Sequence, residues 1–263
     1  EIGPKNSVSQ QFRIYIGPQI PSLIKELGPG CEAVIHYGFF DTVSQILLSI
    51  FRFIYKFCHN WGVTLIIFSF LVFAITSPLS IKSFSSMKRM QELQPEIEEL
   101  KNKFKDNPQK LNREIMVLYK ERKVNPFGGC LPMLLQMPIF IALFQLLSRF
   151  VELKGANFLW IKDLSEPDRL KVFSKSMPFI GSDLNLLPIF MIIIMLLQQK
   201  ITGVQQNKGD AAAQQQKMMS LFMAVFFGVI FYKMPSGLVL YWSINSLLMF
   251  LFQLRLFLQQ KKA

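Results

Sequence analysis

The sequence has little charge, and its longest apolar stretches hold no acidic residue. Only 17% of the 263 residues are Asp, Glu, Lys or Arg, whereas soluble domains average about 25%. Hydrophobic residues make up 51% of the chain and are gathered into runs long enough to cross a bilayer. This distribution predicts an integral membrane protein. The net charge of +12 also fits an RNA-binding protein, but the basic residues lie between the apolar runs and are mixed with Glu, which favours the membrane interpretation.

Several kinds of catalytic chemistry lack their residues. Proton-coupled transporters and aspartyl intramembrane proteases need buried carboxylates. The HExxH, GxSxG and P-loop motifs of zinc proteases, serine hydrolases and ATP-driven pumps are also absent from the sequence. The three cysteines, Cys31, Cys58 and Cys130, do not have the spacing of a metal site. We therefore expect neither an enzyme nor a bound cofactor or metal.

Five apolar segments predict an all-α integral membrane protein with five core transmembrane helices: 61–80, 127–150, 186–199, 218–232 and 238–258. An odd number of spans places the two ends of the chain on opposite sides of the membrane. The basic 83–123 loop and the basic tail 259–263 favour the cytoplasm for the C-terminus and the outside for the N-terminus. Between spans two and three, Trp160, Ile161 and Leu164 indicate an interfacial loop on the outer side.

Two further segments have helical periodicity. Residues 41–58 alternate apolar and polar side chains at spacings of three and four, which is typical of a helix lying in the membrane interface. The first turns of a longer span are the alternative. Residues 83–123 carry two apolar seams separated by a turn at Asn107-Pro108, which predicts a cytoplasmic helical hairpin. This hairpin is either a functional element or a solvated connector, and its length favours the first.

Polar but uncharged residues recur within the spans. Ser69, Thr76 and Ser80 form a stripe on the first span with Phe73 in its middle, and Trp242, Ser246 and Gln253 share a face of the fifth. Such stripes either line a wet groove or hold helices together. Ser and Thr side chains can also simply bond the carbonyl one turn back in their own helix.

Three stretches resemble the YidC membrane protein insertases of the Oxa/YidC/Albino superfamily. They are NWGVTLIIFSFLVFAITSPLS, then LQPEIEELKNKFKDNPQKLNREIMVLYKERKVNPFGGCLPMLLQMPIF, then PSGLVLYWSIN. The resemblance covers residues 12–258 and is closest to the Gram-negative members. It implies that residues 1–40 are the remnant of a periplasmic domain truncated at its N-terminus, that 41–58 are an interfacial helix, and that 59–258 are the five-helix core.

The resemblance implies a hydrophilic groove that opens to the cytoplasm and the lipid. It also implies a function: inserting newly made proteins into the bacterial inner membrane and helping them fold, without nucleotide hydrolysis. The expected groove residues are Ser69, Phe73, Thr76, Gln136, Gln199, Tyr241, Trp242 and Ser246. Position 73 departs from the family, whose members usually carry an Arg there.

The implied partners are nascent membrane proteins and the bilayer, with the Sec translocon, the ribosome and the signal recognition particle pathway as further partners; direct nucleic-acid binding is not expected. Two other functions remain open from the residues alone. A transporter of lipid or small solutes would use the same groove but would show internal symmetry between halves. A structural assembly factor would bind folded subunits rather than nascent chains.

Overall fold

The fold is almost entirely helical. The computed structural model describes residues 9, 14–36, 38–125, 128, 131–171, 183–202 and 211–262. It has nine α-helices in this part of the chain: α1 Pro21–Lys25, α2 Asp41–Cys58, α3 Trp61–Glu92, α4 Gln94–Lys103, α5 Pro108–Glu121, α6 Leu131–Leu147, α7 Leu186–Thr202, α8 Ala211–Phe231 and α9 Ser236–Lys262. One short antiparallel pair, β1 Leu170–Lys171 and β2 Asp183–Leu184, joins Leu170 to Leu184.

The chain divides into two compact units, Glu1–His36 and Tyr37–Ala263. In the first unit, α1 packs against a 3₁₀ turn at Cys31–Val34, and Ile24 is buried. The second unit contains all the longer helices. Within it α9 is central, because it packs along α7 and α3 and also contacts α6.

Helix α2 is held against α3 and α6 by its buried face. Phe51 packs on Phe68 of α3 with ring centroids 4.6 Å apart, and the Ser44 hydroxyl donates to the Ala142 carbonyl of α6 at 3.1 Å. The helix ends at His59, whose left-handed backbone (φ 52°) lets its N–H bond the Tyr55 carbonyl. On the other face Ile46, Phe53 and Phe57 remain exposed, so α2 is apolar on two sides.

Helix α3 runs unbroken for 32 residues through Pro78 and past the end of the predicted first span. A proline inside a helix removes one N–H and leaves the carbonyl four residues earlier without its usual donor. That carbonyl belongs to Ala74, and the Ser77 hydroxyl donates to it at 3.0 Å. With this donor in place of the missing N–H, α3 continues through Pro78 and reaches Glu92, twelve residues past the predicted end of the span at Ser80.

Helices α4 and α5 form the charged hairpin. Leu93, Ile97, Leu118 and Val124 make its small buried core, and Met90 of α3 packs against it. The Asn107 side chain accepts from the Lys110 N–H at 3.0 Å and so caps α5, with Pro108 in the first turn. The Arg122 Nη2 atom contacts both carboxylate oxygens of Glu96, at 2.8 and 3.0 Å, and this ion pair links the end of α5 to α4.

The segment between α6 and β1 folds over the first turns of α3, α7 and α9. The Asp168 carboxylate accepts from the N–H groups of Leu186 and Leu187, at 2.8 and 3.0 Å, and thereby caps α7. The first turn of α9 is satisfied by backbone carbonyls: Ser236 N–H bonds Glu166 and Gly237 N–H bonds Leu164. Ile161 and Leu164 of this segment are fully buried, so they pack inward from the loop that the sequence predicts at the outer interface.

Two helical segments of the described chain are long and apolar enough to cross a membrane, Trp61–Met90 and Ser236–Gln259. Three shorter apolar segments, Leu134–Leu147, Leu186–Ile201 and Leu221–Phe231, correspond to the other predicted spans. Core helices of soluble proteins can match the two long ones in length and composition, but they are mostly buried. Here only 39% and 33% of the two apolar windows are buried inside the protein, which favours a lipid environment.

Candidate functional site

The polar stripe of α3 turns its hydroxyls toward its own backbone. Ser69 is fully buried and donates to the Leu65 carbonyl at 2.8 Å, and Thr76 donates to the Val72 carbonyl at 2.8 Å. This is the alternative that the sequence left open for these residues. Phe73 lies between them and is half-buried, with its ring edge-on to Phe252 of α9 at 6.1 Å. The stripe of α3 therefore faces α9.

Tyr241 of α9 connects three helices. Its side chain is fully buried, its ring lies 5.8 Å from that of Phe68 on α3, and its hydroxyl accepts from the Gln136 side chain of α6 at 2.5 Å. The structure thus brings together two of the residues expected in the groove, Gln136 and Tyr241. A glutamine–tyrosine contact between membrane helices satisfies two polar groups that would otherwise be costly in an apolar setting.

Trp242 lies at the centre of an aromatic cluster. Its indole is 4.9 Å from the Phe140 ring of α6 and 5.4 and 6.2 Å from the Phe231 and Phe227 rings of α8. Sequence reasoning singled out Trp242 but not the three phenylalanines. With 26 Phe in the chain, their composition alone does not show which of them meet. The cluster joins α6, α8 and α9 next to Tyr241.

The pairing of α7 with α9 includes a polar contact at Ser246. The Gln198 side chain donates to the Ser246 carbonyl at 3.0 Å, and Gln199 beside it is half-buried. The sequence predicted Gln199 as a groove residue, whereas the contact with Ser246 comes from its neighbour Gln198. Both glutamines lie within one turn of the end of the apolar part of α7, before Lys200.

Helix α9 also holds buried oxygens without a partner among the described residues: Ser243 Oγ, Asn245 Oδ1 and Gln253 Oε1. Sequence reasoning noted these polar residues but could not tell which would be left unsatisfied. A buried polar atom without a hydrogen bond is unfavourable by roughly 1–3 kcal/mol. Three of them on one helix mark α9 as the polar seam of the bundle, a name we use below for Tyr241, Ser243, Asn245, Ser246 and Gln253.

The seam contains no charge and no metal-binding set. The apolar parts of α3, α6, α7, α8 and α9 lack Asp, Glu, Lys and Arg, and Arg255 of α9 is exposed beyond the seam. In the part of the chain that the structure describes, there is no group of three or more His, Cys, Asp or Glu side chains that could hold a metal ion. The arrangement offers uncharged hydrogen-bonding groups and aromatic surface, and it is suited to contacting another polypeptide or water.

Comparison with known proteins places the chain. The family described as "60Kd inner membrane protein" matches residues 53–262. The "Membrane protein insertase YidC" of Syntrophobacter fumaroxidans is 39% identical over 241 residues, which cover 91% of this chain and 42% of that protein. The protein of the same name from Treponema denticola is 38% identical over 273 residues, covering 98% of this chain and 46% of the relative.

A solved structure agrees with these sequence matches. The crystal structure titled "Active YidC insertase crystal structure with the first transmembrane domain resolved" superposes with a TM-score of 0.62 at 29% identity. The match covers 90% of this chain and 53% of that one. The chain spans less than half the length of the two curated relatives named above. On the match over residues 53–262 and on these likenesses, the chain belongs to the 60Kd inner membrane protein family, that of the YidC membrane protein insertases.

Proposed function

We propose that this chain is the insertase core of an inner-membrane protein, which moves short polar tails of newly made proteins partway across the bilayer and releases their apolar segments into lipid. The observation that carries the proposal is the polar seam of α9, set among helices whose apolar parts carry no charge. Its buried oxygens without partners would be satisfied by water or by a client backbone in a hydrophilic groove.

Five half-buried residues would line this groove: Phe73, Gln136, Gln199, Trp242 and Ser246. Three buried ones, Ser69, Thr76 and Tyr241, would support its wall from behind. A core of five transmembrane helices, α3 and α6 to α9, would enclose the groove. Much of the outer surface of these helices is exposed and apolar, including Phe70 and Ile75 of α3 and Phe222 and Val229 of α8.

The energetics of such a groove require no nucleotide. A charged side chain at the bilayer centre costs about 2.5–3.5 kcal/mol on insertion scales. Hydration along the polar seam would lower that barrier for a translocating tail. Burial of the client's apolar segment in lipid supplies the driving force, at about 0.8 kcal/mol for each buried CH₂. The chain would therefore act as a passive catalyst of partitioning.

The α4–α5 hairpin would receive clients on the cytoplasmic side, with the N-terminal segment periplasmic and the C-terminus cytoplasmic. Basic residues outnumber acidic ones in residues 83–123, which favours the cytoplasm for this hairpin. The Sec translocon, the ribosome and the signal recognition particle pathway are proposed as further partners. Residues 1–40 are proposed as part of a periplasmic domain. Residues 41–58 are proposed as a helix at the interface of the inner membrane, on its periplasmic side.

Reconstitution in liposomes tests the proposal. The purified chain is incorporated into phosphatidylethanolamine–phosphatidylglycerol vesicles, a short-tailed client is synthesised in their presence, and protection of the client's tail from external protease is measured. We expect protection well above that of protein-free vesicles, and its loss when α4 and α5, residues 94–121, are replaced by a short flexible linker that leaves α3 intact. If the linker variant is folded and inserts every client as well as the unmodified chain, the hairpin is only a connector. If the unmodified chain gives no protection, the insertase proposal fails.

Photo-crosslinking of a nascent client to position 242 separates insertion from the binding of folded subunits.

A further inference from the structure

We propose that the turn at Leu159-Trp160 is an anchor that seats in the headgroup region of the bilayer, at the end of the bundle opposite the charged hairpin. Its binding partner is the headgroup region of a lipid bilayer. The anchor would operate with or without a client, so it does not depend on the insertase proposal.

The turn is built to present two large apolar side chains outward. Phe158 and Ile161 exchange two backbone hydrogen bonds of 2.9 Å, which closes a two-residue turn over Leu159 and Trp160. Ile161 is fully buried and fixes the base of the turn. At its tip, Leu159 is 76% exposed and Trp160 42% exposed. Exposed leucine and tryptophan side by side on a rigid turn are unfavourable in water and favourable at a membrane interface.

The backbone of the tip shows that the position of Leu159 is imposed by its surroundings. Leu159 has φ 52°, in the left-handed region that glycine adopts freely and leucine does not. Non-glycine residues keep such a conformation only where neighbouring structure dictates it, and they cluster at functional sites. A glycine or asparagine would make the same turn more easily, so turn formation alone does not account for leucine here.

The turn lies at the level where α3 begins. The Phe158 ring covers Gly62 so closely that a Cβ at position 62 would overlap it. Gly62 is in the first turn of α3, and Val63, Ile67 and Phe70 begin the exposed apolar stripe of that helix. The tip is thus continuous with the surface that faces lipid if α3 crosses the membrane, and it sits at the end of that surface, where headgroups begin.

Charged side chains of both signs surround the turn. Lys154 and Lys162 are exposed on either side of the tip. The acidic groups of the same segment are buried or lie beside a donor or a cation: Glu152 pairs with Arg52 at 2.6 Å, Glu166 pairs with Arg169 at 3.2 Å, Asp163 accepts from Ser165 near Lys154, and Asp168 is buried at the start of α7. The segment therefore balances acid with base, so the apolar side chains of Leu159 and Trp160, and not a net charge, favour the bilayer interface.

The anchor is coupled to the bundle through one side chain. The indole N–H of Trp160 donates to Asp168 at 3.3 Å, on the same carboxylate oxygen that accepts from Leu186 and Leu187. If Trp160 lies among the headgroups, its hydrogen bond holds the Asp168 carboxylate at that level. Because Asp168 caps α7, the start of α7 would then be held at a fixed depth in the bilayer.

Depth-dependent fluorescence quenching tests the proposal on the full chain. Cys31, Cys58 and Cys130 are replaced by serine, Leu159→Cys is labelled with the environment-sensitive dye NBD, and the protein is reconstituted in phosphatidylethanolamine–phosphatidylglycerol vesicles. Phosphatidylcholine carrying a nitroxide near the headgroup should reduce the emission about twofold more than a nitroxide at the end of the acyl chain, because the anchor would lie in the interface. Aqueous iodide should quench this label only slightly.

The matched control is Asn157→Cys, labelled in the same way, because Asn157 is exposed on the same turn before the tip. It should be quenched by iodide and not by lipid nitroxides. The proposal is overturned if the label at 159 responds to iodide as the one at 157 does, since the tip then lies in water. Protection of the label at 159 from both quenchers also overturns it and points to a protein partner.

A second variant separates anchoring from folding. Leu159→Gly removes the apolar tip but accepts φ 52° without strain, so its melting temperature in detergent should equal or exceed that of the unmodified chain. A clear drop in melting temperature would mean that Leu159 serves the fold and not the membrane.

Discussion

At the residue scale, Phe73 is the most informative position of the proposed groove. Its ring packs edge-on against Phe252, so it faces α9 and not the lipid. The family usually carries an Arg at this position, as the resemblance implied, and the apolar parts of the five long helices here hold no cation to replace it. A groove without a central cation attracts water and neutral polar groups, and it has no direct Coulomb attraction for an acidic tail.

The substitution Phe73→Arg restores a cation and tests this idea. We expect it to lower the stability of the bundle by about 2.5–3.5 kcal/mol, the cost of an unpaired charge at membrane depth. We also expect it to raise the yield of clients with acidic tails in the liposome assay. Phe73→Leu is the control, since it changes packing without adding charge. If Phe73→Arg folds but inserts acidic and neutral tails in unchanged proportion, position 73 does not influence client choice.

Asp163 gives the segment after α6 a dependence on pH. Partial burial raises the pKa of its carboxyl, but hydrogen bonds from the Ser165 hydroxyl and from the Gly155 and Ser165 N–H groups, with the Lys154 charge, outweigh this and lower the pKa below its usual value. A carboxyl whose pKa is lowered by folding stabilises the folded state above its unfolded pKa, and this contribution is lost as the pH falls through the folded value.

We therefore expect the melting temperature in detergent to drop as the pH falls below about 4, the usual aspartate pKa. Asp163→Asn should reduce this drop, because it removes the titrating group while keeping the side chain polar. An identical acid profile for the two proteins would assign the acid sensitivity to other carboxylates.

At the scale of the helix, Asp168 is the main side-chain cap of α7. The carboxylate is buried and accepts from Leu186, Leu187 and Trp160, so Asp168→Ala would leave three donors without their acceptor. We expect a loss of about 2–3 kcal/mol in the free energy of unfolding, since hydrogen bonds to a buried charge are among the stronger ones. Thermal or chemical denaturation in detergent measures it.

Glu166→Ala is the matched control for this substitution. Glu166 pairs with Arg169 at 3.2 Å, but both side chains are more than half exposed, and such pairs contribute about 0–1 kcal/mol. Its backbone carbonyl, which accepts from Ser236, is unchanged by the substitution. Equal losses for the two variants would contradict the capping role of Asp168.

Helix α8 depends on a close approach to α7 at Gly228. A Cβ at this position would overlap the tip of the Ile192 side chain, and Ala224 one turn earlier is also fully buried. Small residues four apart let membrane helices approach closely. Gly228→Ala should be nearly neutral, because the flexible end of Ile192 can shift and alanine gains about 1 kcal/mol of helix propensity over glycine.

Gly228→Ile should instead separate α8 from α7, at a cost of about 1–3 kcal/mol typical of overpacking. Disulfide trapping between cysteines placed on the two helices would measure the separation. A Gly228→Ile variant that traps as efficiently as the alanine variant would show that this contact does not hold the two helices together.

Sequence periodicity predicted the elements better than their contacts. The two apolar seams of residues 83–123 could be predicted because apolar residues recur at helical spacing within each of them. Leu93 and Ile97 of the first seam and Leu118 of the second are buried in the hairpin. The donation from Ser77 to Ala74, which carries α3 through Pro78, depends on a side-chain rotamer that periodicity does not contain. The capping of α7 by Asp168 and the cluster around Trp242 depend on segments far apart in sequence, so only the folded chain shows them.

At the scale of the whole molecule, the proposed groove predicts an asymmetric pattern of water access. Ser246 is half-buried on the polar seam, whereas Ser69 is fully buried with its hydroxyl on its own helix. A membrane-impermeant thiol reagent added from the cytoplasmic side should therefore label Ser246→Cys and should label Ser69→Cys far more slowly. Protection of both cysteines in the absence of client would count against a wet groove.

The unbroken course of α3 has a mechanical consequence. The helix, 32 residues and about 48 Å long at 1.5 Å per residue, has the buried Gly62 in its first turn and Met90, which packs against the core of the hairpin, in its last. The helix bends most easily at Pro78, because there the Ser77 hydroxyl replaces the backbone N–H as hydrogen-bond donor. A force on the hairpin would bend α3 at Pro78, so the part of the helix after Pro78 would move while the part before it, where Phe73 packs on Phe252, would stay in place.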